Sequence, residues 1–151
     1  MPQSLTKLYV HIIFSTKNRF PFFREETIKQ ELYKYIVKVI KENDSYPIIV
    51  NGVKDHIHIL CNLSKNRSLS DLIAKIKRSS SKWIKTKGDI YSKFYWQRGY
   101  AAFSISEFSK ETVVNYIRNQ EEHHKHKSFK EEVIEFLEKY KIEYDVQYLW
   151  D

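Results

Sequence analysis

The sequence has few of the residues that divide a chain into separate units or cross-link it. Its 151 residues include three glycines, three prolines and a single cysteine, Cys61. So few glycines and prolines leave little room for flexible linkers, which favours one domain over residues 1–151. One cysteine excludes an internal disulfide, and its place in an apolar segment predicts a small buried side chain.

Several other features are missing. No apolar run approaches the roughly 20 residues that a membrane span needs. The first four residues do not resemble a signal peptide, so we expect a cytoplasmic protein with no membrane partner. The glycine-rich loops that bind nucleotide phosphates are absent, as is a cysteine cluster for zinc, and we expect no nucleotide cofactor.

Positive charge is in excess. Lysine and arginine number 26 against 19 acidic residues, which gives a formal net charge of +7. This balance favours a polyanionic partner, nucleic acid first and an anionic membrane second. Five basic residues are candidate DNA contacts, two in a loop after the first predicted strand and three on a basic helix. They are Lys17, Arg19, Lys75, Arg78 and Lys82.

The hydrophobic pattern predicts the element order βαββαβαα. We expect strands over residues 5–14, 46–53, 55–60 and 101–108, with a tight turn at Asn51 and Gly52. We expect helices over 25–43, 68–87 and 110–127, and a last helix that begins after Ser128. The result is an α+β fold, an antiparallel sheet with helices on its faces, whose first six elements have the ferredoxin-like order. Residues 142–151 are unassigned and could add a strand or pack on a partner.

Two histidines alternate with apolar residues on the predicted third strand. Residues two apart point to the same face, so His56 and His58 project together while Ile57 and Ile59 point the other way. Paired imidazoles on a rigid strand can form half of a metal site, but such a pair is more often incidental on a half-exposed strand. His11, on the first strand, could be a third ligand, and a hydrogen-bonded core residue is the preferred interpretation.

A tyrosine and an amide lie one turn apart on the predicted helix 110–127. Tyr116, Gln120 and His123 follow i, i+4, i+7 spacing along one flank. If that flank faces the strand, His56, His58 and the Gln120 amide oxygen could hold one divalent ion. Such an ion could polarise a phosphodiester and activate Tyr116 as a nucleophile. On periodicity alone, a tyrosine at the edge of the core is the simpler interpretation.

Three segments together resemble a known family. They are Asp55-His56-Ile57-His58, then Trp96-Gln97-Arg98-Gly99-Tyr100 with Phe103-Ser104-Ile105-Ser106, and finally Tyr116-Ile117-Arg118-Asn119-Gln120. In this order they resemble the HUH single-tyrosine transposases of insertion sequences that move as single-stranded DNA, and their repeat-associated relatives. The resemblance runs from the first strand to the last helix.

The resemblance implies a mechanism and a set of roles. His56 and His58 match the metal-binding pair, Gln120 the third ligand and Tyr116 the nucleophile, with Mg²⁺ or Mn²⁺ as the ion. Cleavage of single-stranded DNA would leave a 5′-phosphotyrosine and a free 3′-hydroxyl, and rejoining would reverse the step. The resemblance also implies a homodimer that recognises subterminal hairpins, in which the tyrosine helix of one subunit can serve the other's histidines.

Other interpretations stay open at this point. A nucleic-acid-binding module without catalysis would need none of the four site residues. A structural metalloprotein would use the histidines for stability and the tyrosine for packing. Replication initiators and relaxases share the chemistry but usually carry further domains. His123, His124 and His126 receive no role from the sequence and are expected at the surface.

Overall fold

Four antiparallel strands form the sheet in the computed structural model, which describes residues 2–151. β1 spans Tyr9–Ser15, β2 Tyr46–Gly52, β3 His56–Asn62 and β4 Ala101–Ile105. Their spatial order is β2-β3-β1-β4. Together with the helices this confirms the α+β class and the ferredoxin-like order of the first six elements.

One face of the sheet carries the main hydrophobic core. Ile12 and Phe14 of β1, with Ile57 and Ile59 of β3, point to this face and are almost completely buried. Two helices pack on it, α1 (Glu26–Glu42) and α2 (Leu69–Ile84). The Ser68 hydroxyl accepts a hydrogen bond from the Asp71 amide and so caps α2.

The opposite face carries the histidines. His11 of β1 and His56 and His58 of β3 are buried there, as the alternation predicted. Three helices from the C-terminal part cover this face, α3 (Lys110–Arg118), α4 (Gln120–His123) and α5 (Phe129–Lys139). The sheet therefore lies between the main core on one face and the buried histidines on the other.

The β2–β3 turn lies two or three residues later than predicted. Asn51 and Gly52 belong to β2, and the turn consists of residues 53–55, closed by a hydrogen bond from the Val53 amide to the His56 carbonyl, 3.1 Å. Gly52 is needed for a close approach, because a Cβ there would lie 2.3 Å from the His56 carbonyl oxygen. The glycine thus lets β3 begin directly at His56.

The predicted helix 110–127 is broken, and that prediction was wrong. α3 ends at Arg118, Asn119 leaves the helical region (φ −99°, ψ 26°), and α4 is a separate short helix. Both the backbone amide and the side-chain amide of Asn119 donate to the Asn115 carbonyl, which closes the end of α3. Ser109 does not cap α3; Ser106 instead accepts a hydrogen bond from the Ser109 amide in the preceding turn.

The last helix, α5, packs against both the sheet and the C-terminal tail. Ser128 accepts a hydrogen bond from the Glu131 amide and so caps α5, as predicted. Phe129, Val133 and Leu137 face the sheet. Residues 142–151 add no strand, and Leu149 and Trp150 pack against the α5 cluster.

Candidate metal centre and tyrosine

Each of the two strand histidines is oriented through its Nδ1 atom. His11 Nε2 lies 2.8 Å from His58 Nδ1, so His11 is the hydrogen-bonded core residue that the sequence favoured. His56 Nδ1 lies 2.7 Å from a carboxylate oxygen of Asp55. Both rings therefore turn their Nε2 atoms towards the same interior point. This is the arrangement in which metal-binding histidines are usually held.

The carboxylate of Glu132, on α5, occupies the centre of the cluster. Its Oε1 atom lies 3.0 Å from His58 Nε2, 3.2 Å from His124 Nε2 and 3.3 Å from His56 Nε2. Its Oε2 atom accepts hydrogen bonds from the Tyr116 hydroxyl and from Gln120 Nε2. A single buried carboxylate thus joins three imidazoles to a phenol.

Charge and burial set the protonation of this cluster. Burial would raise the pKa of Glu132, but the imidazoles of His124, His56 and His58 beside it lower it far below its usual range. Burial lowers the pKa of His58 to about 4. For His56 burial also acts to lower the pKa, but Asp55 and Glu132 outweigh it and raise the value. Glu132 is consequently ionised and His58 neutral at pH 7, the forms in which both can bind a metal.

The side chains of His56, His58, His124 and Glu132 could hold a metal ion. Their ligand atoms lie within 4.8 Å of one another. The distances of 3.0–3.3 Å from Glu132 Oε1 to the three nitrogens are close to the roughly 3.4 Å that separates tetrahedral ligands with bonds of about 2.1 Å. His56 Nε2 and Gln120 Oε1 are buried without a hydrogen-bond partner. A cation at the centre would pair with His56 Nε2, so the residues fit the metal ion that the resemblance implies.

Tyr116 reaches this centre within its own chain. It is half-buried, its ring centroid lies 5.9 Å from that of His58, and its ring stacks on His123 at 4.5 Å. Burial and the neighbouring Glu132 carboxylate raise the pKa of Tyr116 well above its usual value near 10. The four residues singled out in the sequence, His56, His58, Tyr116 and Gln120, therefore meet at one place. Gln120 joins through its amide nitrogen to Glu132.

Sequence reasoning missed two members of the cluster. His124 was expected at the surface, but its side chain is only 12% exposed and contacts Glu132. Glu132 is 1% exposed and received no role. His123 stacks on Tyr116, whereas His126 is exposed as expected. His124 lies after the break at Asn119, where the spacing of the predicted helix no longer applies, and Glu132 lies on the next helix, α5.

The candidate DNA contacts occupy two separate places. Lys75, Arg78 and Lys82 lie on α2, which packs on the face of the sheet opposite the histidines, and Lys75 pairs with Asp71 at 3.6 Å. Lys17 and Arg19 lie in a short 3-10 turn, Lys17–Arg19, directly after β1. Among nearby aromatics, Phe94 and Trp96 are core residues, while Tyr95 and Tyr100 are exposed. Within residues 2–151, no helix is both long and apolar enough to cross a bilayer.

Comparisons with known proteins agree with the resemblance. A protein from Deinococcus radiodurans R1, proposed to be a transposase, superposes with a TM-score of 0.61 at 20% identity, covering 80% of this chain and 95% of the other. A REP-associated tyrosine transposase, solved with a REP hairpin, gives 0.62 at 18% identity, covering 82% and 73%. At these identities the likeness shows the fold. No curated protein sequence matches significantly.

The family comparison decides the assignment. The model that describes the IS200-like transposases matches residues 4–120, which include His56, His58, Tyr116 and Gln120. His124 and Glu132 lie beyond the matched residues. Because the match extends over more than half of the chain, the chain belongs to the IS200-like transposase family.

Proposed function

We propose that the protein cleaves and rejoins single-stranded DNA through a covalent bond to Tyr116. The observation that carries this proposal is the shared carboxylate. Glu132 binds the Tyr116 hydroxyl with one oxygen and faces three imidazoles with the other. A tyrosine that only completed the core would not need a buried, charged partner, whose desolvation is costly. The arrangement suits a phenol that is held ready beside a metal ion.

The reaction is a transesterification. The Tyr116 oxygen attacks the phosphorus of a phosphodiester, the bond from phosphorus to the 3′ oxygen breaks, and that oxygen takes a proton from water to become a 3′-hydroxyl. Glu132 holds the hydroxyl in position through its hydrogen bond, and the phenolic proton passes to water, because a carboxylate with so low a pKa is a weak base. The energy of the cut bond is kept in the 5′-phosphotyrosine, so a second 3′-hydroxyl can rejoin the strand without ATP.

A divalent ion fits this mechanism, and the ligands indicate its kind. His56 and His58 would hold it, with Gln120 as the ligand that the resemblance implies and with His124 and Glu132 added by the geometry. When bound, it would offset the Glu132 charge, lower the pKa of Tyr116 and stabilise charge on the phosphate. Of the two predicted ions, imidazole-rich ligands favour Mn²⁺, because Mg²⁺ prefers oxygen ligands.

The proposed substrate and assembly are those that the resemblance implies. We expect single-stranded DNA with subterminal hairpins, in line with the net charge of +7 and with the relative solved on a REP hairpin. We also expect a homodimer. Since Tyr116 contacts Glu132 of its own chain, we propose that the tyrosine can act on the metal centre of the same subunit.

The experiment is a covalent trapping assay. Fluorescent single-stranded oligonucleotides that tile both flanks of the protein's own gene are incubated with the protein and Mn²⁺, then resolved on a denaturing gel. We expect one oligonucleotide to give a shifted, protease-sensitive adduct that EDTA prevents and that Tyr116→Phe abolishes. Tyr9→Phe, a change at another buried tyrosine, should keep the adduct. Hairpin binding without any adduct would instead support a binding module without catalysis.

A further inference from the structure

An open cleft lies beside the metal centre and has no part in the reaction described above. Its volume is about 540 Å³, and it runs from the end of β1 to the C-terminal tail. Its lining includes Arg19, Gln97, Arg98, Tyr100, Phe129 and Trp150. Phe129 lies between the cleft and the metal centre, since it lines the cleft and its ring centroid lies 4.7 Å from that of His56. A strand bound at the metal ion could therefore continue into the cleft.

The wall that carries Arg19 is built from distant parts of the chain. Gln97 accepts a hydrogen bond from the Asn18 amide at 2.8 Å and donates one to the Trp150 carbonyl at 3.3 Å. The Arg19 guanidinium lies 5.9 Å from the centre of the Trp150 ring. Gln97 thus ties the turn after β1 to the tail, and Arg19 lies between them.

Two observations at Arg19 indicate a ligand. Asn18 and Arg19 both have φ of +56°, a left-handed conformation that costs energy for residues other than glycine. The Nη1 atom of Arg19 is buried and has no hydrogen-bond partner among the described residues. Buried donors are nearly always paired, because an unpaired one loses its bonds to water. Arg19 as a whole is only partly buried and lines the cleft, so a small rotation of its guanidinium would bring this atom to a phosphate oxygen there.

The cleft also matches an unpaired nucleotide in charge and shape. Arg19 and Arg98 supply two positive charges against the single carboxylate side chain of Asp151. Tyr100 is 44% exposed and lines the cleft together with Trp150. Exposed aromatic rings beside basic groups bind unpaired bases by stacking, with little dependence on sequence.

We propose that this cleft binds one unpaired nucleotide next to the cleaved phosphodiester, with Arg19 on its phosphate and Tyr100 against its base. The proposal rests on the proposed function, since it takes single-stranded DNA as the substrate. It assigns to residues 97–100 and to the C-terminal tail a direct role in positioning the strand. Of the five basic candidates from the sequence, Arg19 is the one that lines this cleft.

The first test measures binding separately from cleavage. In a Tyr116→Phe background, which forms no adduct, fluorescence anisotropy is recorded with the single-stranded oligonucleotide that the trapping assay selects. We expect Arg19→Ala to weaken binding about tenfold and Arg19→Lys to weaken it less, because lysine keeps the charge but loses the planar fork. The matched control is Lys41→Ala, which removes the same charge from an exposed position at the end of α1. Equal affinities for Arg19→Ala and Lys41→Ala would overturn the proposal.

The second test locates the base. Each nucleotide of the oligonucleotide is replaced in turn by an abasic site, and binding is compared between Tyr116→Phe and Tyr116→Phe with Tyr100→Ala. We expect the abasic site at one position beside the cleaved bond to weaken binding to Tyr116→Phe about fivefold or more. The same abasic site should leave binding almost unchanged when Tyr100→Ala is also present. If the effects of the abasic site and of Tyr100→Ala on affinity simply add at every position, the assignment of Tyr100 is overturned.

The two proposals can fail separately. If wild-type protein forms the Tyr116 adduct but neither cleft variant changes binding, the cleft proposal is wrong and the proposed function stands. If no single-stranded oligonucleotide gives binding or an adduct, both are wrong. Thermal unfolding of each variant accompanies the binding data. Should Arg19→Ala fail to fold, Arg19→Lys and Tyr100→Ala provide the decisive comparison.

Discussion

Replacing the central carboxylate tests the site most directly. In Glu132→Leu a side chain of similar length remains, but three imidazoles and one phenol lose the group they face. Breaking a buried, hydrogen-bonded charge cluster by removing one partner typically costs about 3–5 kcal/mol. For a chain of this size each 1 kcal/mol corresponds to about 2–4 °C in Tm. We therefore expect Tm to fall by about 6–20 °C at pH 7.

The assay is thermal unfolding followed by circular dichroism, first in EDTA and then with Mn²⁺. Wild-type protein should gain stability from Mn²⁺, by about 2.7 kcal/mol when the ion is present at 100 times its Kd. Glu132→Leu should gain much less, because the variant lacks the anionic ligand. Glu138→Leu provides the control, since it makes the same change at an exposed position on the same helix.

Two results would refute this reasoning. A Tm for Glu132→Leu within about 2 °C of that of Glu138→Leu in EDTA would mean that the carboxylate does not hold the cluster together. An unchanged gain from Mn²⁺ would mean that Glu132 takes no part in binding the ion. The second result would leave His56, His58 and Gln120 as the ligand set that the resemblance implied.

Three further predictions concern the ion, the hairpin turn and the buried thiol. Co²⁺ should raise Tm more than Mg²⁺ at equal concentration, because imidazole nitrogens favour transition metals; equal shifts would argue against a histidine-rich site. Gly52→Ala should cost about 1–3 kcal/mol by chemical denaturation, because its Cβ meets the His56 carbonyl oxygen at 2.3 Å, and a neutral result would contradict that contact. Burial raises the pKa of Cys61 to about 12, so the native thiol should resist a disulfide reagent at pH 8 and react only after unfolding.

The strand part of the site could be predicted because a strand has a fixed period of two. Once His56 and His58 were placed on one strand, their common face and the opposite face of Ile57 followed. His11 followed in the same way on β1. Packing cannot change this alternation without a bulge. The turn was misplaced because Asn51 and Gly52 suit a hairpin turn, whereas the close approach of Gly52 to β3 extends the pairing past it.

The helical part was predicted only up to Asn119. Tyr116 and Gln120 lie one turn apart and did reach the same point, but the helix does not continue to His124. A signal for the break was present, since no apolar residue follows Ile117 until Phe129, and a helix without an apolar stripe has nothing to hold it on the sheet. This stretch without apolar residues predicts a helix that ends near Arg118, where α3 ends.

Glu132 could have been suspected from its position on α5. It lies three residues after Phe129 and four before Phe136, within the stripe that packs on the sheet, and not on the outer side with Glu131 and Glu135. A carboxylate on a buried stripe must find partners, because burying an unpaired charge is too costly. The buried histidines of β3, on the face that α5 covers, are such partners. The position of Tyr116 therefore depends on how α5 packs against the sheet as much as on its own helix.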